Sequence, residues 1–185
     1  MSSTNELREI LTEYCNHYRD ISDIEIVENL LTKVSEDLRY ELLSSITHSV
    51  RGDTVLSNAA LIGHTELCVT LLSALPPADR LKLILVNKCT ALHAAACYGL
   101  TEIISGILNC LTADQPLQLI FTQDSDGDTA LHYAAREGHS ETVKFLLDNL
   151  TPEQQLKLLF KQDSDGNTAL HKAARRAQTA AEMTL

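Results

Sequence analysis

Apolar residues recur at helical spacing along most of the chain, in short runs that come in pairs. Ala130, Leu131, Ala134 and Ala135 predict a short helix with one very small face. Val143, Leu146, Leu147 and Leu150 predict a longer partner helix with an apolar stripe. Thr129 stands at the N-cap of the first helix, where its hydroxyl can accept from an orphan backbone N–H. Gly138 falls where that helix must stop, because a residue without Cβ enters the left-handed C-cap at little cost. Thr151 and Gln154 then have capping-box spacing, with Pro152 at the first helical position. They predict a third short helix, or a restart of the second. Thr112 with Gln115 repeats the device, and Pro76-Pro77 and Ser35-Glu36-Asp37 stand in the same place. Gly127, between two acids, marks a tight turn.

The pattern is a repeat. Gln123 to Ala135, QDSDGDTALHYAA, matches Gln162 to Ala174, QDSDGNTALHKAA, at eleven of thirteen positions and a shift of 39. Thr90 to Ala96 lies 39 residues before Thr129, and Thr54 to Ala60 is a weaker copy 36 residues earlier. Ile26 to Leu31 is a fainter echo of Thr142 to Leu147. No single unit can bury its apolar face alone, so the units must stack.

These residues resemble the ankyrin repeat, whose signature T-P-L-H-x-A is matched by Thr129-Ala130-Leu131-His132-Tyr133-Ala134. Three copies of T-A-L-H-x-A-A occur, two of them preceded by D-x-D-G. The resemblance is good over about residues 54–176 and poor over 1–53. It implies helical hairpins side by side, a β-hairpin finger between units, and a chain that works by binding another protein. The unit is six residues longer than the family's 33, and it is similar to a long variety, of about 39 residues, found in large arrays from host-associated bacteria and some invertebrates.

The expected fold is therefore all-α, a solenoid of stacked hairpins with an extra short helix per repeat and short hairpin fingers. One domain is expected over 1–185: a divergent N-terminal capping repeat (1–53), repeats at 54–89, 90–128 and 129–167, and a partial or capping repeat at 168–185. In the first of these Leu7, Ile10, Leu11, Tyr14 and Tyr18 share one helical face, with Ser3 and Glu6 in capping-box spacing and Arg19 among its solvent-facing charges. Two irregularities stand out. The finger at Asn87-Lys88-Cys89 is short and lacks the Asp-Gly turn, and Arg175-Arg176-Ala177-Gln178 replaces the Gly-His stop. The chain then runs to Leu185 inside a second helix, as a C-terminal cap or as part of a longer array.

Composition narrows the function. Fifteen basic residues face 25 acidic ones, a net charge of −10 that repels nucleic-acid backbones. Aromatic residues make up 4% with no Trp, so stacking platforms for bases or sugars are scarce. No apolar run approaches the roughly 20 residues of a membrane span, and acids occupy the N-terminus where an export signal would be apolar. A cytoplasmic location is expected, or a host cytoplasm for a bacterial effector. The five cysteines, without a C-x-x-C pair, read as free thiols.

Three constellations invite chemistry, and each has a plainer account. His93, His132 and His171 would lie about 10 Å apart in stacked units, whereas zinc ligands sit roughly 2.0–2.3 Å from one ion. Local hydrogen bonds that bridge neighbouring fingers account for them. Asp124-Ser125-Asp126-Gly127-Asp128 has its glycine fourth and Ala135 at the twelfth place, which does not fit a calcium loop. The same stretch after Leu119-Ile120-Phe121 superficially resembles the nucleophile motif of haloacid-dehalogenase phosphatases, with Asp124 or Asp126 as nucleophile. Its recurrence at Asp163-x-Asp165-Gly166 favours a turn. No catalytic residue, cofactor or metal is expected.

Binding is expected on a concave surface of first-helix positions. In register these are Asn58, Leu61 and Ile62; Ala94, Cys97 and Tyr98; Tyr133, Arg136 and Glu137; and Lys172, Arg175 and Arg176. They run from apolar through aromatic to basic. Finger tips would add Lys88, Ser125, Asp126, Asp128, Ser164, Asp165 and Asn167. The residues expected to carry binding are Leu61, Ile62, Cys97, Tyr98, Tyr133, Arg136, Glu137, Lys172, Arg175, Arg176, Asp126 and Asp128. The expected partner is a protein with an acidic or mixed segment, bound by a monomer, with no nucleic acid and no membrane insertion. The alternatives are a fragment of a larger host-directed effector or repeat array whose activity lies elsewhere and, more remotely, an Asp-dependent phosphatase.

Overall fold

A computed structural model describes residues 3–17, 24–48, 53–87, 90–112 and 114–182; Tyr18, Arg19, Lys88, Cys89 and Leu185 lie outside the described residues. Among the described residues the chain is all-helical, with thirteen helices and no strand. They are α1 (Ser3–His17), α2 (Ile24–Lys33), α3 (Glu36–Ser45), α4 (Val55–Ile62), α5 (Thr65–Ser73), α6 (Pro77–Ile84) and α7 (Ala91–Cys97). The series continues with α8 (Thr101–Asn109), α9 (Gln115–Ile120), α10 (Ala130–Glu137), α11 (Ser140–Asp148), α12 (Pro152–Leu159) and α13 (Ala169–Glu182). No helix of the described residues is long and apolar enough to cross a membrane.

The helices repeat in threes and stack in layers. First helices α1, α4, α7, α10 and α13 pack in succession, as do second helices α2, α5, α8 and α11. Ala59, Ala60, Ala95, Ala96, Ala134 and Ala135 are all buried between first helices, where a larger side chain would hold the backbones apart. One continuous core runs from Leu7 to Ala169. Leu7, Leu11 and Tyr14 of α1 belong to it, and Ile10 packs at its edge. Each fully buried leucine, such as Leu56 or Leu92, contributes about 2 kcal/mol.

The extra helix has a mechanical use. Arg39 of α3 donates through Nε to Val34 O and through Nη1 to Ala74 O. Arg80 of α6 repeats the clamp on Leu75 O and on Cys110 O, the latter 30 residues from the arginine along the chain. Each guanidinium thus satisfies carbonyls at the ends of second helices in two successive units. The predicted caps of this helix are present too, with Thr151 Oγ1 accepting from Gln154 N and the Gln154 side chain accepting from Thr151 N.

The fingers at 123–128 and 162–167 are turns without strands, whereas the one at 47–54 carries an antiparallel bridge. Among the described residues the only bridge pairs Thr47 with Thr54. The later fingers close on two backbone bonds each: Asp124 N to Asp128 O at 3.0 Å with Gly127 N to Asp124 O at 3.3 Å, and Asp163 N to Asn167 O at 2.8 Å with Gly166 N to Asp163 O at 3.1 Å. Asp124 Oδ1 also accepts from the N–H of Asp126 and of Asp128, so the aspartate folds the turn locally. The second finger lies against the first through Ser164 N, which donates to Asp126 O at 2.9 Å.

That contact yields a paired prediction. Gly127 and Gly166 hold equivalent places with φ of 78° and 80°. A Cβ on Gly127 would lie 2.7 Å from Ser164 N, while one on Gly166 meets nothing within 4 Å. Gly166→Ala is expected to cost about 1 kcal/mol of left-handed strain. Gly127→Ala adds a backbone collision and costs roughly 3 kcal/mol in all. Urea unfolding of the two variants checks this; equal losses would mean the fingers do not touch.

Candidate interaction surface

The signature histidines fix how fingers sit on helices. Thr129 N donates to His132 Nδ1 at 3.2 Å, so that nitrogen carries the lone pair and Nε2 carries the proton. Nε2–H donates to Asn167 O, 3.2 Å away in the next finger. His93 does the same, accepting at Nδ1 from Thr90 N and donating from Nε2 to Asp128 O at 3.1 Å and Thr122 O at 3.2 Å. His171 keeps only local contacts among the described residues, from Thr168 N at 3.2 Å and Thr168 Oγ1 at 2.8 Å, and the residue is exposed. Both nitrogens of His93 and His132 are committed to the fold. Among the described residues no group of three or more His, Cys, Asp or Glu is placed to hold a metal ion.

Burial lowers the pKa of His93, against the opposing pull of Asp124, the Thr122 and Asp128 carbonyls and the Asp128 carboxylate. The folded state therefore holds this ring neutral, while the unfolded ring takes a proton near pH 6.5. As pH falls below about 6.5 the unfolded chain binds the proton first, so the stability contributed by this group is lost. Unfolding midpoints between pH 7.5 and 5.5 should fall, and less steeply in His93→Gln. An identical pH slope in both proteins would contradict the neutral buried ring.

An ion cluster closes the floor of the last two units. Lys172 Nζ lies 2.6 Å from Asp163 Oδ2 and 3.2 Å from Asp128 Oδ1, and Arg136 Nη1 is 3.7 Å from Asp128 Oδ2. Burial pushes the Asp163 carboxyl up, but the Lys172 ammonium and hydrogen bonds from Asn167 override it and hold the carboxyl well below its usual range. Burial likewise lowers Lys172, and the two aspartates more than restore it. One unit earlier the same reach is made by a neutral group, Tyr133 Oη donating to Asp124 Oδ2 at 2.7 Å. Tyr133 and Lys172 are the variable residues of the two T-A-L-H-x-A motifs, and each holds the first aspartate of its own finger. Asp124 thus has both oxygens engaged, Oδ1 within the turn and Oδ2 with Tyr133.

These contacts sort the expected binding residues. Asp128 was expected at a finger tip, yet it is buried and ion-paired, because its side chain turns inward to Lys172 and Arg136. Lys172 is only 13% exposed for the same reason. Asn58 and Ala94, read as groove positions, are buried, Asn58 donating to Cys15 O at 3.3 Å. Leu61 and Ile62 are half-buried against the core, and Cys97 is half-buried. Tyr133 is half-buried and carries the Arg136 guanidinium 4.5 Å above its ring. Glu137 pairs with Arg136 at 3.0 Å and with Arg176 at 3.7 Å. Tyr98, Asp126, Arg175 and Arg176 are exposed, Tyr98 by 56%.

Inter-unit ties at the helix ends were missed by sequence reading. His139 Nε2 lies 3.0 Å from Cys97 O, with its ring packed on Gly99. Thirty-nine residues after Cys97, Arg136 O accepts from Arg176 Nη1 at 3.3 Å, and the Arg176 side chain packs on Gly138. Arg176 thus does for α10 what His139 does for α7, although it lies off the repeat register. Cys15 and Cys68 are inert fillers; burial pushes each thiol up to about 12, helped slightly by Asp53 and Cys110 respectively.

Comparison with known proteins agrees with this geometry. Residues 109–183 match the family model described as ankyrin repeats, in three copies. No curated protein matches the chain. Ankyrin repeats generally serve as protein–protein interaction modules. Stacked helical units, histidines that tie helix to finger and the matched segment agree: residues 109–183 are similar to ankyrin repeats.

Proposed function

We propose that this chain is a non-catalytic scaffold that binds a partner protein along its first-helix face and finger tips. The observation that carries the reading is the division of labour just described. Tyr133, Arg136, Lys172 and Asp128 bind one another, and Tyr98, Asp126 and Arg175 project from the same layer towards solvent. An exposed aromatic with an arginine beyond it suits a partner segment that combines an apolar anchor with acidic residues. The half-buried Leu61, Ile62, Cys97 and Glu137 and the Arg176 side chain extend that surface. The scaffold is proposed to act as a monomer in the cytoplasm, with 1–53 and 168–185 as the terminal units around three full repeats.

The test is a pull-down with wild type and with Tyr98→Ala/Arg175→Glu, both positions being exposed and outside the internal clusters. Proteins retained by wild type should be lost from the variant. Equal recovery of every protein by both baits would overturn the first-helix face as the binding surface.

A further inference from the structure

The seams between units are not equally tied. Three polar bonds cross the α7–α10 seam. His93 Nε2 donates to Asp128 O at 3.1 Å, one residue before the Thr129 cap of α10. His139 Nε2 lies 3.0 Å from Cys97 O, and Thr101 Oγ1 lies 2.8 Å from Thr142 Oγ1. At the α4–α7 seam each of these places holds a residue that makes no such reach. Ser57 stands 36 residues before His93, and its hydroxyl stays within its own cap, 3.1 Å from Thr54 Oγ1. Leu100 stands in the place of His139 and Ile103 in that of Thr142, each 39 residues earlier. Leu100 packs against the core and Ile103 is buried, so both side chains supply apolar contact and no hydrogen bond. The finger of this seam is also short: three residues separate Val86 from Thr90, where six separate Thr122 from Thr129.

The other edge of the same seam is pinned. Gly106 lets α8 close on α5, because a Cβ there would stand 3.2 Å from Val69 Cγ2. Arg80 of α6 reaches Cys110 O at 2.8 Å, and Gln115 Nε2 of α9 reaches Pro77 O at 3.4 Å. The first-helix edge instead rests on Ala59, Ala60, Ala95 and Ala96, all buried, at the places where its neighbour has directed bonds. Apolar contact is non-directional and tolerates rocking, whereas a hydrogen bond fixes one distance and angle. Each bond that is missing removes a net factor of roughly five in favour of the closed arrangement.

We infer that the α4–α7 seam is a hinge. Helices α1–α6 and α7–α13 move as two blocks about the edge held by α5–α8 and Arg80, while the first-helix edge opens and closes. Leu61 and Ile62 stand on one side of the seam and Cys97 and Tyr98 on the other, so the hinge sets the width of the first-helix layer between them.

Double electron–electron resonance on the full chain tests this, with nitroxides carried on p-acetylphenylalanine so that the native cysteines stay in place. Labels at Thr47 and Ser125, both exposed, report the finger edge across the seam. Labels at Ala78 and Gln118, exposed on α6 and α9, report the third-helix edge. The Thr47–Ser125 distance distribution is expected to be at least twice as broad as that of Ala78–Gln118. It should narrow in Leu100→His, which sets a donor beside Leu61 O, the carbonyl equivalent to Cys97 O. It should narrow also in Ile103→Thr, which sets a hydroxyl beside Thr65. Circular dichroism checks that each variant is folded, and narrowing in either one supports the hinge. Equal breadth at the two edges of wild type would overturn it. A broad finger edge that neither variant narrows would overturn it too, by placing the motion within the fingers themselves.

Discussion

Lys172→Met should lower folding stability by about 3 kcal/mol at neutral pH. The lysine sits between two aspartates whose side chains are 5% and 2% exposed, and it contacts both at 3.2 and 2.6 Å. Methionine keeps most of the volume but leaves Asp163 with no cation and Asp128 with only a distant one, Arg136 at 3.7 Å. Uncompensated buried charge is the cost, and it has a pH signature. In wild type the depressed Asp163 pKa contributes stability that is present above the unfolded value, near 3.9, and is lost as pH falls below it. In the variant burial is no longer opposed by the ammonium, so protonation relieves the strain. The gap between the two proteins should therefore narrow as pH falls from 7 towards 4. Lys157→Met removes an exposed pair with Glu153, at 2.8 Å, and should change nothing measurable. Urea titrations at pH 7 and 4 check all three statements, and a gap independent of pH would show that the loss is one of packing alone.

His132→Ala is the second large effect, also about 3 kcal/mol. The ring is fully buried, so its removal leaves a cavity. It also strands the buried Thr129 N–H and takes from Asn167 O one of its two donors, leaving only Asp163 N. His171→Ala removes the same local bond to Thr168 N from an exposed ring and should cost about 1 kcal/mol, the usual value of a cap. The difference between the two isolates the bridge from helix to finger. Amide exchange in residues 162–168 should quicken in His132→Ala and stay unchanged in His171→Ala. Equal stability losses would mean that the histidine acts only within its own unit.

Much of this architecture was legible in the residues because it rests on local chemistry. The Thr–His spacing, Gly138 at the turn and Thr151-Pro152 at the third helix each act within a few positions of the chain. Their periodic recurrence made the stack unavoidable. What escaped depends on the distance between units. Asp128 looks like any turn acid, and only the approach of Lys172 from the next unit turns it inward. Asn58 looks like a groove residue until α1 is laid beside α4, where the Cys15 carbonyl claims it. Arg176 escaped because it lies off the 39-residue register and reaches Arg136 O along a helix that was expected to end. The loss of Gly-His at Ala177-Gln178 was visible, but the apolar groove beside α13 was not. The fingers at 123–128 and 162–167 were over-read as β-hairpins, since an Asp-Gly turn closed by two backbone bonds needs no strand on either side.

Hydrogen exchange compared between the free chain and its complex with a retained protein addresses the binding face most directly. Protection should gather on α7, α10 and α13 and on the finger at residues 124–128. Protection confined to the outer helices α2, α5 and α8, with the first-helix layer unchanged, would contradict the account.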